Sequence, residues 1–246
     1  MDLIERRELK YYVPIVLLDA LRDRIMTHME YDPHCLGRKD FAYPVHSLYL
    51  DTRRSLFYFE KIEGHKVIKK LRIRIYEPVE IERTAFLEIK RKINEHVFKE
   101  RVQIPIDEAL QLFNGVTFHP LNCRNGQALA LDRFVYLTKR LQLEPKVLIV
   151  YDREAFFDPE GTSLRVTFDM NIRSSPTDDL EDLLSELDCR PVSQQYFIME
   201  VKFSGIMPHS IKRIINDFRL RLQSYSKYCE GLDVWQAVPS ALGPNA

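Results

Sequence analysis

Three short segments alternate charged and apolar residues with a period of two. They are Lys70-Leu71-Arg72-Ile73-Arg74-Ile75-Tyr76, Leu87-Glu88-Ile89-Lys90-Arg91-Lys92 and Ile198-Met199-Glu200-Val201-Lys202-Phe203. That period belongs to the β-strand, whose successive side chains point to opposite faces. Each such strand has an apolar face that must be covered. Its other face must be solvated, paired, or met by something of opposite charge.

The rest of the chain extends this pattern. Residues 5–13 read as a first strand, with Arg6, Glu8 and Lys10 on one face and Arg7, Leu9 and Tyr11 on the other. Pro14 opens a helix to about Met29 with Leu18, Leu21, Ile25 and Met29 on one stripe. A loop over 31–44 leads to the strand His46–Leu50, and Asp51–Ser55 reads as a turn. Further strands are predicted near 56–62, 66–76, 84–92 and 96–104, then at 146–157, 163–173 and 196–203. Asp107 is placed as the N-cap of a short helix ending near Gly115, and 127–141 reads as an amphipathic helix. The acidic stretch 176–190 is expected to form a surface helix. Pro208 and Ser210 open a last long helix running to about Cys229. Hairpin-linked strands with interspersed amphipathic helices predict an α+β fold built on an antiparallel sheet or closed barrel. No linker divides the chain, so residues 1–236 are expected to form one domain and 237–246 a flexible tail.

Composition narrows the function classes. Among 246 residues, Lys+Arg and Asp+Glu both number 36, so a general nucleic-acid coat, basic overall, is not expected. No apolar run approaches the ~20 residues of a membrane-spanning helix, and the segment Met1–Arg6 lacks a signal-peptide core. Cys35, Cys123, Cys189 and Cys229 are scattered, as expected for reduced thiols of a cytoplasmic protein. No P-loop motif is present, and the seven histidines show no metal-ligand spacing.

Against this neutral background the strand faces are one-sided. Lys10, Lys70, Arg72, Arg74, Lys90, Lys92, Lys99, Arg101, Arg153, Arg165 and Lys202 lie on them with only Glu8, Glu88, Asp169 and Glu200. Eleven cations against four carboxylates are costly to gather unless an anion neutralises them, and arginine suits bidentate binding of phosphate oxygens. Glu8, Glu88 and Glu200 each stand two residues before a lysine on that lysine's face. They are candidate ligands for Mg²⁺ or Mn²⁺, which take hard oxygen donors from one or two carboxylates together with phosphates.

A series of motifs follows in order along the chain: Arg6-x-Glu8-x-Lys10-Tyr11, Ser47-Leu48-Tyr49-Leu50-Asp51-Thr52, the segment 70–76, Phe86–Lys92, Leu164-Arg165-Val166-Thr167-Phe168-Asp169, Met199-Glu200-Val201-Lys202 and Ser226-Lys227-Tyr228. In this order and spacing the chain resembles the VTC domain from Arg6 to about Gly231. The VTC domain is the catalytic domain of the vacuolar transporter chaperone polyphosphate polymerase and its bacterial relatives, in the triphosphate tunnel metalloenzyme group that includes the CYTH proteins. The resemblance implies an antiparallel β-tunnel of about eight strands with a charged lumen and flanking helices. It implies that Lys10, Arg72, Arg74, Lys90, Lys99, Arg165, Lys202 and Lys227 bind phosphates and that Glu200 holds the metal. Lys227, placed near the end of the last helix, would close one tunnel mouth. The chain departs from the CYTH hydrolase pattern Glu-x-Glu-x-Lys, with Arg6 in place of the first Glu. That exchange of a carboxylate for a cation favours holding a polymer over hydrolysis.

The expected activity is transfer of the ATP γ-phosphate to a growing polyphosphate chain with Mn²⁺ or Mg²⁺ and release of ADP. Arg72, Arg74 and Lys90 would hold the triphosphate, and Arg165 and Lys202 would neutralise developing charge. Lys10, Lys70, Lys92, Lys99, Arg101, Arg153 and Lys227 would bind further phosphates. The alternatives are a tripolyphosphate or nucleoside triphosphate hydrolase and a non-catalytic polyanion-binding module. Coupling of synthesis to transport would need a separate membrane partner.

Overall fold

The computed structural model describes residues 6–76, 84–94, 96–111, 127–185 and 188–236. In chain order its elements are β1 (Arg6–Pro14), α1 (Leu18–Met26), β2 (Glu30–Tyr31), β3 (Tyr43–Asp51), α2 (Leu56–Ile62), β4 (Val67–Tyr76), β5 (Thr84–Ile93) and β6 (His96–Pro105). They continue with α3 (Ile106–Gln111), α4 (Ala128–Leu141), β7 (Glu144–Phe157), β8 (Arg165–Pro176), β9 (Arg190–Pro191), β10 (Tyr196–Ser204), α5 (His209–Asp217) and α6 (Lys227–Gln236). Eight long strands follow the order β1-β10-β8-β7-β3-β4-β5-β6, while β2 pairs with β7 and β9 with β8. The pairs β1–β10, β10–β8, β3–β4, β4–β5 and β5–β6 all run antiparallel. The α+β class, with an antiparallel sheet and flanking helices, is as the alternation predicts.

The chain divides into two compact units. The first comprises residues 1–44, 151–172 and 191–225, the second 45–150, 173–190 and 226–246. In the first unit, Tyr11 and Val13 of β1, Met199 and Val201 of β10 and Val166 and Phe168 of β8 are buried. They share a core with Leu21 and Ile25 of α1 and Ile211 and Ile214 of α5. Each such aliphatic side chain stabilises the fold by roughly 1.5–3 kcal/mol. Strand pleating then commits Glu8, Lys10, Glu200 and Lys202 to the opposite face. In the second unit, Leu71, Ile73 and Ile75 of β4 and Ala85, Leu87 and Ile89 of β5 are buried, as are Val102 and Ile104 of β6. Helices α3 and α4 pack on β5 and β6, and α4 buries Leu131, Phe134 and Thr138 at helical spacing. The other face of β4, β5 and β6 carries the charge.

Four local expectations differ from the structure or go beyond it. Residues 56–62 form helix α2, not a strand. Ser55 takes a left-handed conformation at φ 57°, and the Asp51 carboxylate accepts the backbone N–H groups of Phe57 and Tyr58 at 3.0 and 3.1 Å. A carboxylate on the free N–H groups of a first turn starts a helix. The long helix expected from Pro208 to Cys229 is two helices. Arg219, at φ 50°, ends α5, and Leu222 bridges to Tyr11 before α6 begins. Lys227 therefore sits at the start of a helix and not near the end of one. The acidic segment expected as a helix at 176–190 runs from the end of β8 to the start of β9, and its helical content among the described residues is a 3₁₀ turn, Glu181–Leu184. Helix α3 is described from Ile106 to Gln111, with Asp107 inside its first turn and not at its cap; the remainder of the expected 107–115 helix and the tail 237–246 lie outside the described residues.

Candidate functional site

Strand register assembles the charged face of the second unit. Lys70 stands opposite Lys90, which stands opposite Lys99. In the adjoining row Arg72 stands opposite Glu88 and Glu88 opposite Arg101. In the row beyond, Arg74 stands between Ser47 of β3 and Phe86 of β5. Like charges directly opposite each other destabilise a sheet, so the three-lysine row has a cost that the fold retains. Glu88, 1% exposed, is the hub. It lies 2.6 Å from Arg72, 2.8 Å from Lys99, 3.6 Å from Arg101 and 3.9 Å from Arg74. Burial alone would raise the Glu88 carboxyl, but Arg72, Arg74 and Lys99 hold it well below the usual carboxylate range. On β4, β5 and β6, Lys70, Arg72, Arg74, Lys90, Lys99 and Arg101 share a strand face with this carboxylate, and four of them lie within 4 Å of it.

Helix α6 brings its first turn to the same face. Ser226 caps the helix, its hydroxyl accepting from the Cys229 N–H at 3.2 Å. The same hydroxyl accepts from Lys70 Nζ at 2.6 Å. Tyr228 stacks on Tyr49 with ring centroids 5.2 Å apart and donates its hydroxyl to Asp51 at 2.5 Å. Lys227 is buried at the first helical position, where the helix dipole disfavours a cation. The Arg72 guanidinium donates to the Tyr49 hydroxyl at 2.8 Å. Burial pushes the Tyr49 phenol up, but Arg72, Lys70, Arg74 and Lys227 outweigh it and bring it down to about 8.

The first unit carries a face of different charge balance. Glu8 stands opposite Lys202, and Lys10 opposite Glu200. Across β10, Lys202 stands opposite Arg165 and Glu200 opposite Thr167. Lys202 Nζ lies 2.8 Å from Glu200, Lys10 Nζ 3.2 Å from Glu8, and Arg165 3.0 Å from Asp32. Arg153 and Asp169 form a buried two-pronged pair at 2.6 and 2.8 Å. Four cations (Lys10, Arg153, Arg165, Lys202) thus meet four carboxylates (Glu8, Asp32, Asp169, Glu200). The buried Thr167 hydroxyl has no hydrogen-bond partner among the described residues. Glu200 is 5% exposed. Two carboxylates and an unsatisfied hydroxyl oxygen are the hard donors that Mg²⁺ or Mn²⁺ accepts, with its remaining positions left to water and phosphate. No cluster of three His, Cys, Asp or Glu is found among the described residues, so an all-protein metal cage is not offered here; the donor set fits an ion shared with a ligand.

The sequence-predicted residues therefore fall into two groups. Lys70, Arg72, Arg74, Glu88, Lys90, Lys99, Arg101 and Lys227 belong to the second unit, and Glu8, Lys10, Arg153, Arg165, Glu200 and Lys202 to the first. Lys92 is exposed, in a row with Ile68 and Val97 and one step beyond the lysine row. Ser47, Tyr49, Ser226 and Thr167 join these faces although the charge pattern alone does not mark them. Ser47, Tyr49 and Thr167 share the charged faces by alternation, Ser226 stands at a helix cap, and each lies inside one of the ordered motifs.

The VTC domain model matches residues 5–236. The chain belongs to the VTC domain family. Membership ties this VTC domain to an enzyme family of polyphosphate chemistry. No curated protein matches it. Among solved structures it is similar to the PH1819 protein from Pyrococcus horikoshii OT3, with 16% identity, a TM-score of 0.48, and coverage of 94% of this chain and 99% of that one. It is also similar to a chain of the Schizosaccharomyces pombe Mediator head module, with 8% identity, a TM-score of 0.43, and coverage of 87% and 90%. No helix of the described residues is long and apolar enough to cross a membrane.

Proposed function

We propose that this VTC domain is a polyphosphate polymerase that transfers the γ-phosphate of ATP to the end of a polyphosphate chain. One observation carries the reading: the row Lys70–Lys90–Lys99 beside the arginines that enclose Glu88. A folded face with this excess of cations suits an extended polyanion, whose phosphates would satisfy lysines and arginines together. Arg72, Arg74, Lys90 and Lys99 hold phosphate groups there, with Lys70, Arg101 and Lys227 adding charge. Glu88 spends its oxygens on cations, so its role is to hold guanidinium groups in place.

The charge-balanced face of the first unit suits the metal. Glu200 and Glu8 would hold Mn²⁺ or Mg²⁺, which when bound supplies neutralisation of phosphate charge. Lys10, Lys202 and Arg165 bind phosphate oxygens and stabilise the charge that shifts to the leaving group. The reaction needs no protein nucleophile. A terminal oxygen of the chain attacks the γ-phosphorus in line, a P–O bond forms, the bond to the β-phosphate oxygen breaks, and ADP leaves. Positioning and charge do the work.

Purified protein incubated with ATP and Mn²⁺, followed by gel analysis, tests this. Long chains together with ADP are expected. Orthophosphate alone would assign the protein as a hydrolase, and tight binding without turnover would make it a polyanion-binding module; either result overturns the polymerase.

A further inference from the structure

Resting on that reading, we infer that a groove of about 430 Å³ in the first unit, lined by Tyr12, Tyr196, Phe218, Arg219, Arg221 and Gln223, holds the nucleobase of a nucleoside triphosphate.

The groove is built, not incidental. Helix α5 ends where Arg219 turns the chain at φ 50°, and the Leu220 N–H returns to the Ile215 carbonyl at 2.9 Å. The chain then runs along β1, where Leu222 bridges to Tyr11 and the Gln223 N–H donates to the Lys10 carbonyl at 3.0 Å. This strap forms one wall. The other is aromatic, with the Tyr12 and Tyr196 rings edge to face at 6.3 Å. Its volume lies within the range of small-molecule sites.

Its chemistry selects the ligand. Inorganic polyphosphate has no flat apolar part, so the rings of Tyr12, Tyr196 and Phe218 offer it nothing. A nucleobase has two such faces, and both tyrosine rings and guanidinium planes stack on them. Position supplies the rest. Tyr12 is the next residue after Lys10 on the same strand face, roughly 7 Å along β1, and Lys10 stands opposite Glu200. A base against Tyr12 therefore sends its phosphates toward Lys10, Glu200 and Lys202. The groove reads the donor nucleotide and gives the first unit a reason to prefer ATP over the polymer.

Calorimetric titration of the intact protein with ATP and, separately, with tripolyphosphate decides this, using wild type, Tyr196→Ala and Arg221→Gln. Tyr196 and Arg221 are both exposed, and an unchanged melting temperature verifies folding of each variant. We expect ATP to bind about tenfold more weakly to Tyr196→Ala, with a smaller loss in Arg221→Gln, and tripolyphosphate affinity to stay the same. Unchanged ATP affinity in both variants, equal losses for both ligands, or no ATP binding by wild type overturns the groove. Failure of the polymerase reading is separate. Chains formed from ATP with unaltered affinity in Tyr196→Ala remove the groove and leave the polymerase. Selective loss of ATP with no chains removes the polymerase and leaves the groove.

Discussion

Glu88 spends its charge on four cations, and this makes it the side chain whose removal the second unit should feel most. In Glu88→Gln the guanidinium of Arg72 and the ammonium of Lys99 lose their counter-charge while half-shielded from water. Destabilisation of about 3 kcal/mol is expected, read as a lower chemical-denaturation midpoint. Added tripolyphosphate should restore more stability to this variant than to wild type; equal gains would show that the face does not bind the anion. Because Glu88 is held below its ordinary value near 4.5, its contribution is complete above that pH and lost as the pH falls further. The acid limb of the stability curve should therefore be shallower in Glu88→Gln than in wild type. Tyr49 works at the other end of the pH scale. Its phenol, brought down to about 8, favours the ionised form in the fold, so folding stability rises between pH 8 and 10. The phenolate also competes with a bound anion, so tripolyphosphate affinity should fall as the pH rises through 8. A tyrosinate absorbance step near that pH, absent in Tyr49→Phe, is the measurement; the same step in the variant would assign it to another residue.

Helix α6 shows how a shift in element boundaries changes the meaning of a residue. At a helix C-terminus Lys227 would be stabilising, and Lys227→Ala would lower the melting temperature. At the first position of α6, beside Lys70 and Tyr49, the dipole works against the cation. Lys227→Ala is therefore expected to keep or slightly raise the melting temperature while reducing the stabilisation gained from tripolyphosphate. A lowered melting temperature with full ligand stabilisation would contradict this. The boundary was not legible in the sequence because the usual stop signals are missing. A left-handed residue that ends a helix is generally Gly or Asn, and here it is Arg219. Helix α2 was hidden for a related reason. Its start depends on Asp51, six residues before the N–H it caps, and four residues of its segment also fit a strand. The long strands were legible because a period of two survives any tertiary context that covers one face. Their charged faces followed directly, since pleating fixes which side chains share a face. Register was not legible, and register creates the lysine row and places Thr167 against Glu200.

At the scale of the whole molecule, binding should be visible as stability. Tripolyphosphate at a hundred times its Kd is expected to add about 2.7 kcal/mol and raise the melting temperature by about 5–10 °C. High salt should shrink the shift, and a salt-independent shift would argue against charge as the source. Glu200→Gln should keep most of this shift yet lower the affinity for Mn²⁺, followed by the spin-resonance signal of the free ion; unchanged Mn²⁺ affinity would move the metal elsewhere. The lysine row also bears on how copies of the protein treat one another. With 36 basic and 36 acidic side chains, the chain has an isoelectric point near 7.1, where mutual repulsion between molecules is weakest. Each short polyphosphate seated on the β4–β6 face makes its host an anion. We expect light scattering of concentrated protein near neutral pH to fall on adding tripolyphosphate. The ligand would then set not only the occupancy of a site but the dispersion of the whole population, with the empty protein drifting together and the loaded protein keeping its distance.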